Sequence, residues 1–110
     1  DGRIVVNKDI SMPIPAHFKS LAVGDYTFGI RSADVSLAPK GLPFVVELAE
    51  ISGSETYLHV KNGDQTIVGL LDMVRDFAAD EKVKLALDSS KMYAFGADGA
   101  LVSSPFGKVK

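Results

Sequence analysis

The sequence predicts an all-β domain, a small antiparallel barrel of short strands with at most one or two short helical turns. Three observations carry that prediction. Short β-rich runs recur at near-regular spacing, single glycines and prolines separate them, and no apolar stripe of helical period continues long enough to make a stable helix. Closure into a barrel is expected because an open sheet leaves edge strands ready to pair with other chains.

Each element follows from local chemistry. Ile4-Val5-Val6 is a brief apolar run, and beyond the polar Asn7-Lys8-Asp9 the stretch Ile10 to Pro15 alternates until two prolines close it, which predicts an edge hairpin. Ala16 to Val23 has room for one helical turn. Gly24-Asp25 then turns the chain into Tyr26-Thr27-Phe28-Gly29-Ile30-Arg31, a strand, and Ser32 to Lys40 reads as a polar break. The three clearest strands come next: Phe44 to Ile51, then Thr56 to Val60 after the bend Ser52-Gly53-Ser54, then Thr66 to Leu71 after the tight-turn dipeptide Asn62-Gly63. They predict a meander. Met73, Val74, Phe77 and Ala78 are spaced for a loop or a single helical turn. Val83 to Asp88 alternates strictly, Met92-Tyr93-Ala94-Phe95 is another short run, and Asp98-Gly99 turns the chain into Ala100-Leu101-Val102.

The chain of 110 residues, 46% apolar and 24% charged, has the size of one globular domain, expected to span 1–110. Twelve Lys and Arg face fourteen Asp and Glu, and the net charge of -2 leaves no basic excess to neutralise a phosphate backbone. Nonspecific nucleic-acid binding is therefore disfavoured. The absence of cysteine removes disulfides, thiolate metal sites and thiol nucleophiles together, which fits a reducing compartment. No stretch approaches the roughly 20 apolar residues of a membrane-spanning helix, and Asp1-Gly2-Arg3 does not begin a signal peptide. Because the sequence opens without Met and in mid-pattern, it is expected to be a piece of a longer chain.

Little catalytic chemistry is visible. Neither Gly-x-x-x-x-Gly-Lys-Ser/Thr nor Gly-x-Gly-x-x-Gly occurs, so the chain itself is expected to bind no nucleotide and to be no enzyme. His17 and His59 stand far apart without metal-ligand spacing, so no metal site is expected, and His59 reads as a packed or rim residue of its strand. No serine lies in Gly-x-Ser-x-Gly. Glu47, Glu50 and Glu55 flank one strand and its turn; a pair of them could do acid–base work, but a solvated strand face explains them more simply. Tyr26, Phe28, Phe44, Tyr57, Tyr93 and Phe95 could stack bases, yet without interleaved basic residues they read as core.

Phe28-Gly29-Ile30-Arg31, Val45-Val46-Glu47, and Gly53 to Val60 occur here in a characteristic order, continued by Val83 to Asp88 and by Met92-Tyr93-Ala94-Phe95 before the Asp98-Gly99 turn. With Met12-Pro13-Ile14-Pro15 upstream, this order and spacing resemble, over nearly the whole chain, the C-terminal regulatory domain, called the transport-associated oligonucleotide-binding-like or TOBE domain, of ATP-binding subunits of ABC importers of the carbohydrate and glycerol-phosphate class. Two departures stand out. Ser32-Ala33-Asp34 follows Gly-Ile-Arg where that family usually continues Pro-Glu-His or Pro-Glu-Asp, and the Ser-x-Arg-Asn signature of molybdate-binding relatives is missing.

The resemblance implies an OB-like barrel serving as a non-catalytic regulatory and dimerisation domain. It implies an N-terminal nucleotide-binding domain in the same polypeptide, which would bind the ATP and Mg, a second copy of the subunit as homodimer partner, and permease subunits at the cytoplasmic face of the membrane. Interface or structural roles fall to Gly29, Arg31, Gly53 and Glu55, with the Glu55 carboxylate accepting hydrogen bonds from the bend or pairing with Arg31. A different class, a free-standing OB-like barrel binding oligonucleotide or a small anion, is the alternative.

Overall fold

The structure, a computed structural model, describes residues 2–106. Nine strands follow one another among these residues: β1 (Arg3–Val5), β2 (Ser11–Pro13), β3 (Thr27–Gly29), β4 (Val35–Ser52), β5 (Glu55–Asn62), β6 (Gln65–Leu71), β7 (Lys82–Leu87), β8 (Tyr93–Phe95) and β9 (Leu101–Ser103). Every strand pairing is antiparallel and the helical content is confined to three single 3-10 turns, so the all-β expectation holds. No helix among the described residues is long and apolar enough to cross a membrane. The chain divides into two compact units, one from residues 1–30 and 88–110, the other from residues 31–87.

In the first unit β1 and β2 form the expected hairpin, with Ile4 opposite Met12 and both buried. The side chain of Asn7 closes its loop by accepting the backbone N–H groups of Asp9 and Ile10, each at 2.9 Å. The predicted helical turn is a 3-10 turn at Ala16–Phe18. Strands β3, β8 and β9 make a sheet in the order β3-β8-β9. His17 is half-buried in this unit. Its Nε2 donates to the Met92 carbonyl at 2.7 Å, while its own carbonyl accepts the Ser103 hydroxyl at 2.7 Å.

The second unit is one sheet in the order β6-β5-β4-β7. Its meander, β4 to β5 to β6, is the one the sequence predicts. Both hairpins have two-residue links, Gly53-Ser54 and Gly63-Asp64, with positive φ confined to the first link residue, +63° at Gly53 and +59° at Gly63. That is the type II′ pattern, which matches the right-handed twist of the strands. The second turn thus lies one residue beyond the predicted Asn62-Gly63, because Asn62 still pairs with Gln65 and its side-chain amide donates to the Pro43 carbonyl at 2.9 Å.

One correction concerns this unit. The predicted polar break at Ser32 to Lys40 contains the start of β4: Val35, Ser36 and Leu37 pair with Leu87, Ala86 and Leu85. Residues 38–41 bulge out before Leu42 again faces Leu85, and this interruption hides the alternation in the sequence. Between β6 and β7 the chain is a loop, one of the two forms expected there. It is tied down by Thr56, whose hydroxyl donates to the Met73 carbonyl at 2.8 Å and accepts the Arg75 N–H at 3.3 Å.

The core of the second unit lies on one face of the sheet, where Val35, Phe44, Val46, Leu58, Val60, Leu71, Val83 and Leu85 are buried. Each such side chain stabilises the fold by roughly 1.5–3 kcal/mol relative to exposure. The sheet curls tightly over them. Val35, at the start of β4, reaches Gly69 on β6, where an added Cβ would come within 3.1 Å of Val35 Cγ1. The curl brings together strands that are not ladder neighbours and gives this unit its barrel-like character.

Candidate interaction face

The outward face of the same sheet is built by strand parity and one bulge. Because side chains alternate, the buried residues Thr56, Leu58 and Val60 of β5 leave Glu55, Tyr57, His59 and Lys61 on the opposite side. Their cross-strand partners share that side: Tyr57 and His59 face Leu70 and Val68 on β6, and Glu50 and Leu48 on β4. On β4 the register shifts between Val46 and Leu48, so that Val46 points into the core whereas Leu48 and Glu50 point out. The result is an outward apolar centre in which Leu48 is 52% exposed and Tyr57, Val68 and Leu70 are half-buried.

Charged residues surround that centre, with Glu47 among the lysines. Along the β7–β4–β5 side, Val45 sits between Lys82 and Lys61, and Lys84 follows opposite Pro43. At the opposite end of the strands lie Glu50, Glu55 and, just past β6, Asp72. Two polar contacts bridge β4 and β5: His59 Nε2 donates a hydrogen bond to Glu50 Oε1 at 2.6 Å, and Lys61 Nζ forms an ion pair with Glu47 Oε2 at 4.0 Å. With side-chain exposures of 33% and 59% in the first, each is a surface pair worth about 0–1 kcal/mol. Lys82, Lys84, Glu55 and Asp72 form no side-chain hydrogen bond or ion pair among the described residues.

The four residues singled out from the sequence fall on different elements. Gly29 belongs to the first unit, on β3, where an added Cβ would meet Phe95 Cε1 at 3.3 Å. Arg31 is exposed at the start of the 3-10 turn Ser32–Asp34, its carbonyl accepting the Asp34 N–H at 2.9 Å. Gly53 supplies the positive φ of the first hairpin, and Glu55 opens β5 on the outward face. The expected pairing of Glu55 with Arg31 is absent, since the Glu55 carboxylate has no partner among the described residues. Sequence reading missed the lysines of β7 and the apolar residues of β6 as members of this face; the strict alternation of Val83 to Leu87 was the available signal.

The carboxylates of the face are in solvent contact, and among the described residues no group of three or more His, Cys, Asp or Glu is placed to hold a metal ion. An exposed apolar centre flanked by opposite charges is chemically suited to binding another protein surface.

No family model matches the chain. Proteins named sn-glycerol-3-phosphate import ATP-binding protein UgpC, from Brucella abortus (strain 2308), Brucella abortus biovar 1 (strain 9-941) and Brucella suis biovar 1 (strain 1330), are each 28% identical to it over 98 residues. The alignments cover 81% of this chain, which spans 28% of the length of these curated relatives. The chain is thus similar to import ATP-binding proteins over most of its own length.

Proposed function

We infer that this chain is the non-catalytic regulatory and dimerisation domain of the ATP-binding subunit of an ABC transporter that imports sugars or related solutes. The observation that carries the reading is the 28% identity, over 81% of this chain, to proteins named for sn-glycerol-3-phosphate import and ATP binding. The all-β fold and the order of sequence motifs also support it. In this reading ATP and Mg bind an N-terminal nucleotide-binding domain of the same polypeptide, and the chain itself needs no cofactor and catalyses nothing. The parent pairs as a homodimer, docks on permease subunits, and so works in the cytoplasm at the inner face of the membrane. Nucleic acid is not a partner, because the net charge is -2 and one end of the exposed sheet face is acidic.

A domain of this kind acts by proximity. Contacts away from the catalytic halves hold two subunits together at high effective concentration while those halves open and close. Sequencing the gene upstream of this segment tests the reading: a phosphate-loop ATPase in the same frame is expected, and a frame without one overturns it. The chain alone should also neither bind nor hydrolyse ATP. Turnover that tracks the protein peak through purification would contradict the assignment.

A further inference from the structure

We propose that Asn62-Gly63 is a deamidation site gated by the fold, silent while the β4 to β5 to β6 meander stays paired and converted by water to aspartate or isoaspartate when it opens. Asparagine occurs twice in the sequence, as Asn7-Lys8 and Asn62-Gly63. Only the second is followed by glycine. A glycine carries no side chain beside its own nitrogen, and its rotational freedom lets that nitrogen fold back onto the preceding side-chain amide.

In an open chain the conversion runs in two steps. The Gly63 nitrogen loses its proton and attacks Asn62 Cγ; that C–N bond forms, the bond from Cγ to Nδ2 breaks, and Nδ2 takes up the proton and leaves as ammonia. Water then adds to either carbonyl of the five-membered succinimide and reopens the ring, which gives aspartate or isoaspartate at position 62. Water is consumed and ammonia is released. Neither step needs an oxidant, a reductant or a cofactor.

The fold opposes the first step in two ways. Asn62 is the last residue of β5 and pairs with Gln65, so its backbone is extended. Ring closure needs Cβ of the asparagine and the next nitrogen nearly eclipsed about the Cα–C bond, and an extended backbone turns them well apart. The side chain is held as well, because its Nδ2 donates to the Pro43 carbonyl on β4 at 2.9 Å. The turn demands both residues: Gly63 takes a φ of +59°, which glycine adopts without strain, and the amide at position 62 is the donor that serves Pro43. The residues that make the open chain labile therefore also build the geometry that protects it. After conversion that geometry cannot be rebuilt, since a carboxylate offers the Pro43 carbonyl no donor, and isoaspartate adds a methylene to the main chain at the end of β5.

Incubation of the chain at mildly alkaline pH, in buffer and in denaturing urea, followed by mass spectrometry of the segment 56–81 released by cleavage after Glu55 and Glu81, tests the gate. Conversion at position 62 should be slower in buffer than in urea by about tenfold or more, because it waits for the meander to open. Below the unfolding transition the wild-type rate should climb with urea concentration, as opening becomes more frequent. Leu58→Ala, which removes a buried side chain of β5, should convert faster than wild type in buffer. Asn62→Asp carries the carboxylate of the product and should lower the urea midpoint. A segment unchanged even in urea overturns the site. Equal rates in buffer and urea overturn the gate, and so does a rate that ignores both sub-denaturing urea and Leu58→Ala. An Asn62→Asp chain with the wild-type midpoint overturns the claim that conversion leaves the hairpin weakened.

Discussion

Replacing Gly41 with alanine tests the account of the β4 bulge most directly. An ideal Cβ at this position would lie 2.5 Å from the Leu85 carbonyl carbon and oxygen and 2.7 Å from the Leu85 nitrogen. Ordinary contacts between carbon atoms are about 3.5–4.0 Å, so the two backbones must separate by about 1 Å. The atoms in the way are backbone, which no rotamer change can move. Overpacking of this kind costs about 1–3 kcal/mol, and disturbing the pairing of Leu85 with Leu37 and Leu42 adds about 1 kcal/mol for each hydrogen bond lost. We expect a total of about 3 kcal/mol, measured by urea unfolding, and a fall in melting temperature on the order of 10–20 °C. Gly24→Ala is the control, since an added Cβ there meets no atom within 4 Å; it should be neutral or stabilising by up to about 1 kcal/mol. If Gly41→Ala unfolds within about 0.5 kcal/mol of wild type, the close approach of Gly41 to Leu85 is wrong and the bulge with it.

Thr56→Val keeps the shape of a fully buried residue but removes the hydroxyl that serves the Met73 carbonyl and the Arg75 N–H; about 1–3 kcal/mol should be lost, and limited proteolysis should cut faster within residues 72–79. Leu58→Ala, at a position with no exposed surface, should cost about 2–5 kcal/mol in the same unfolding assay. A double-mutant cycle on Glu50→Gln and His59→Gln should return a coupling of about 0–1 kcal/mol, and a value above about 2 would show that this pair is far less solvated than its exposure implies.

Strands whose residues alternate around a single buried face were legible in the sequence. Thr56 to Val60 shows this best, since its alternation matches the buried and outward sides of β5. The opening of β4 was not legible, because Ala38-Pro39-Lys40-Gly41 breaks the period of two just where the strand bulges. The outward face was hidden for a related reason. Counting by twos from Phe44 assigns residues 44, 46, 48 and 50 to one side, but the irregularity between Val46 and Leu48 sends the latter two to the other. Glu55 stands out in the sequence through the family resemblance, which places a Glu after this bend. Its neighbours Asp72 and Leu70 could join it only once the β5–β6 register was known.

The pairing of Val35 with Leu87 sets the first and last strands of the second unit side by side, running in opposite directions. Tension applied to the chain at residues 31 and 88 therefore falls on one end of an antiparallel ladder and opens it like a zipper, one cross-strand pair at a time. A ladder pulled from opposite ends would instead be sheared, with many hydrogen bonds sharing the load. The unit should yield at low force in single-molecule pulling from these two points, with Val35–Leu87 parting first and the extension jumping as residues 38–41 of the bulge are drawn out.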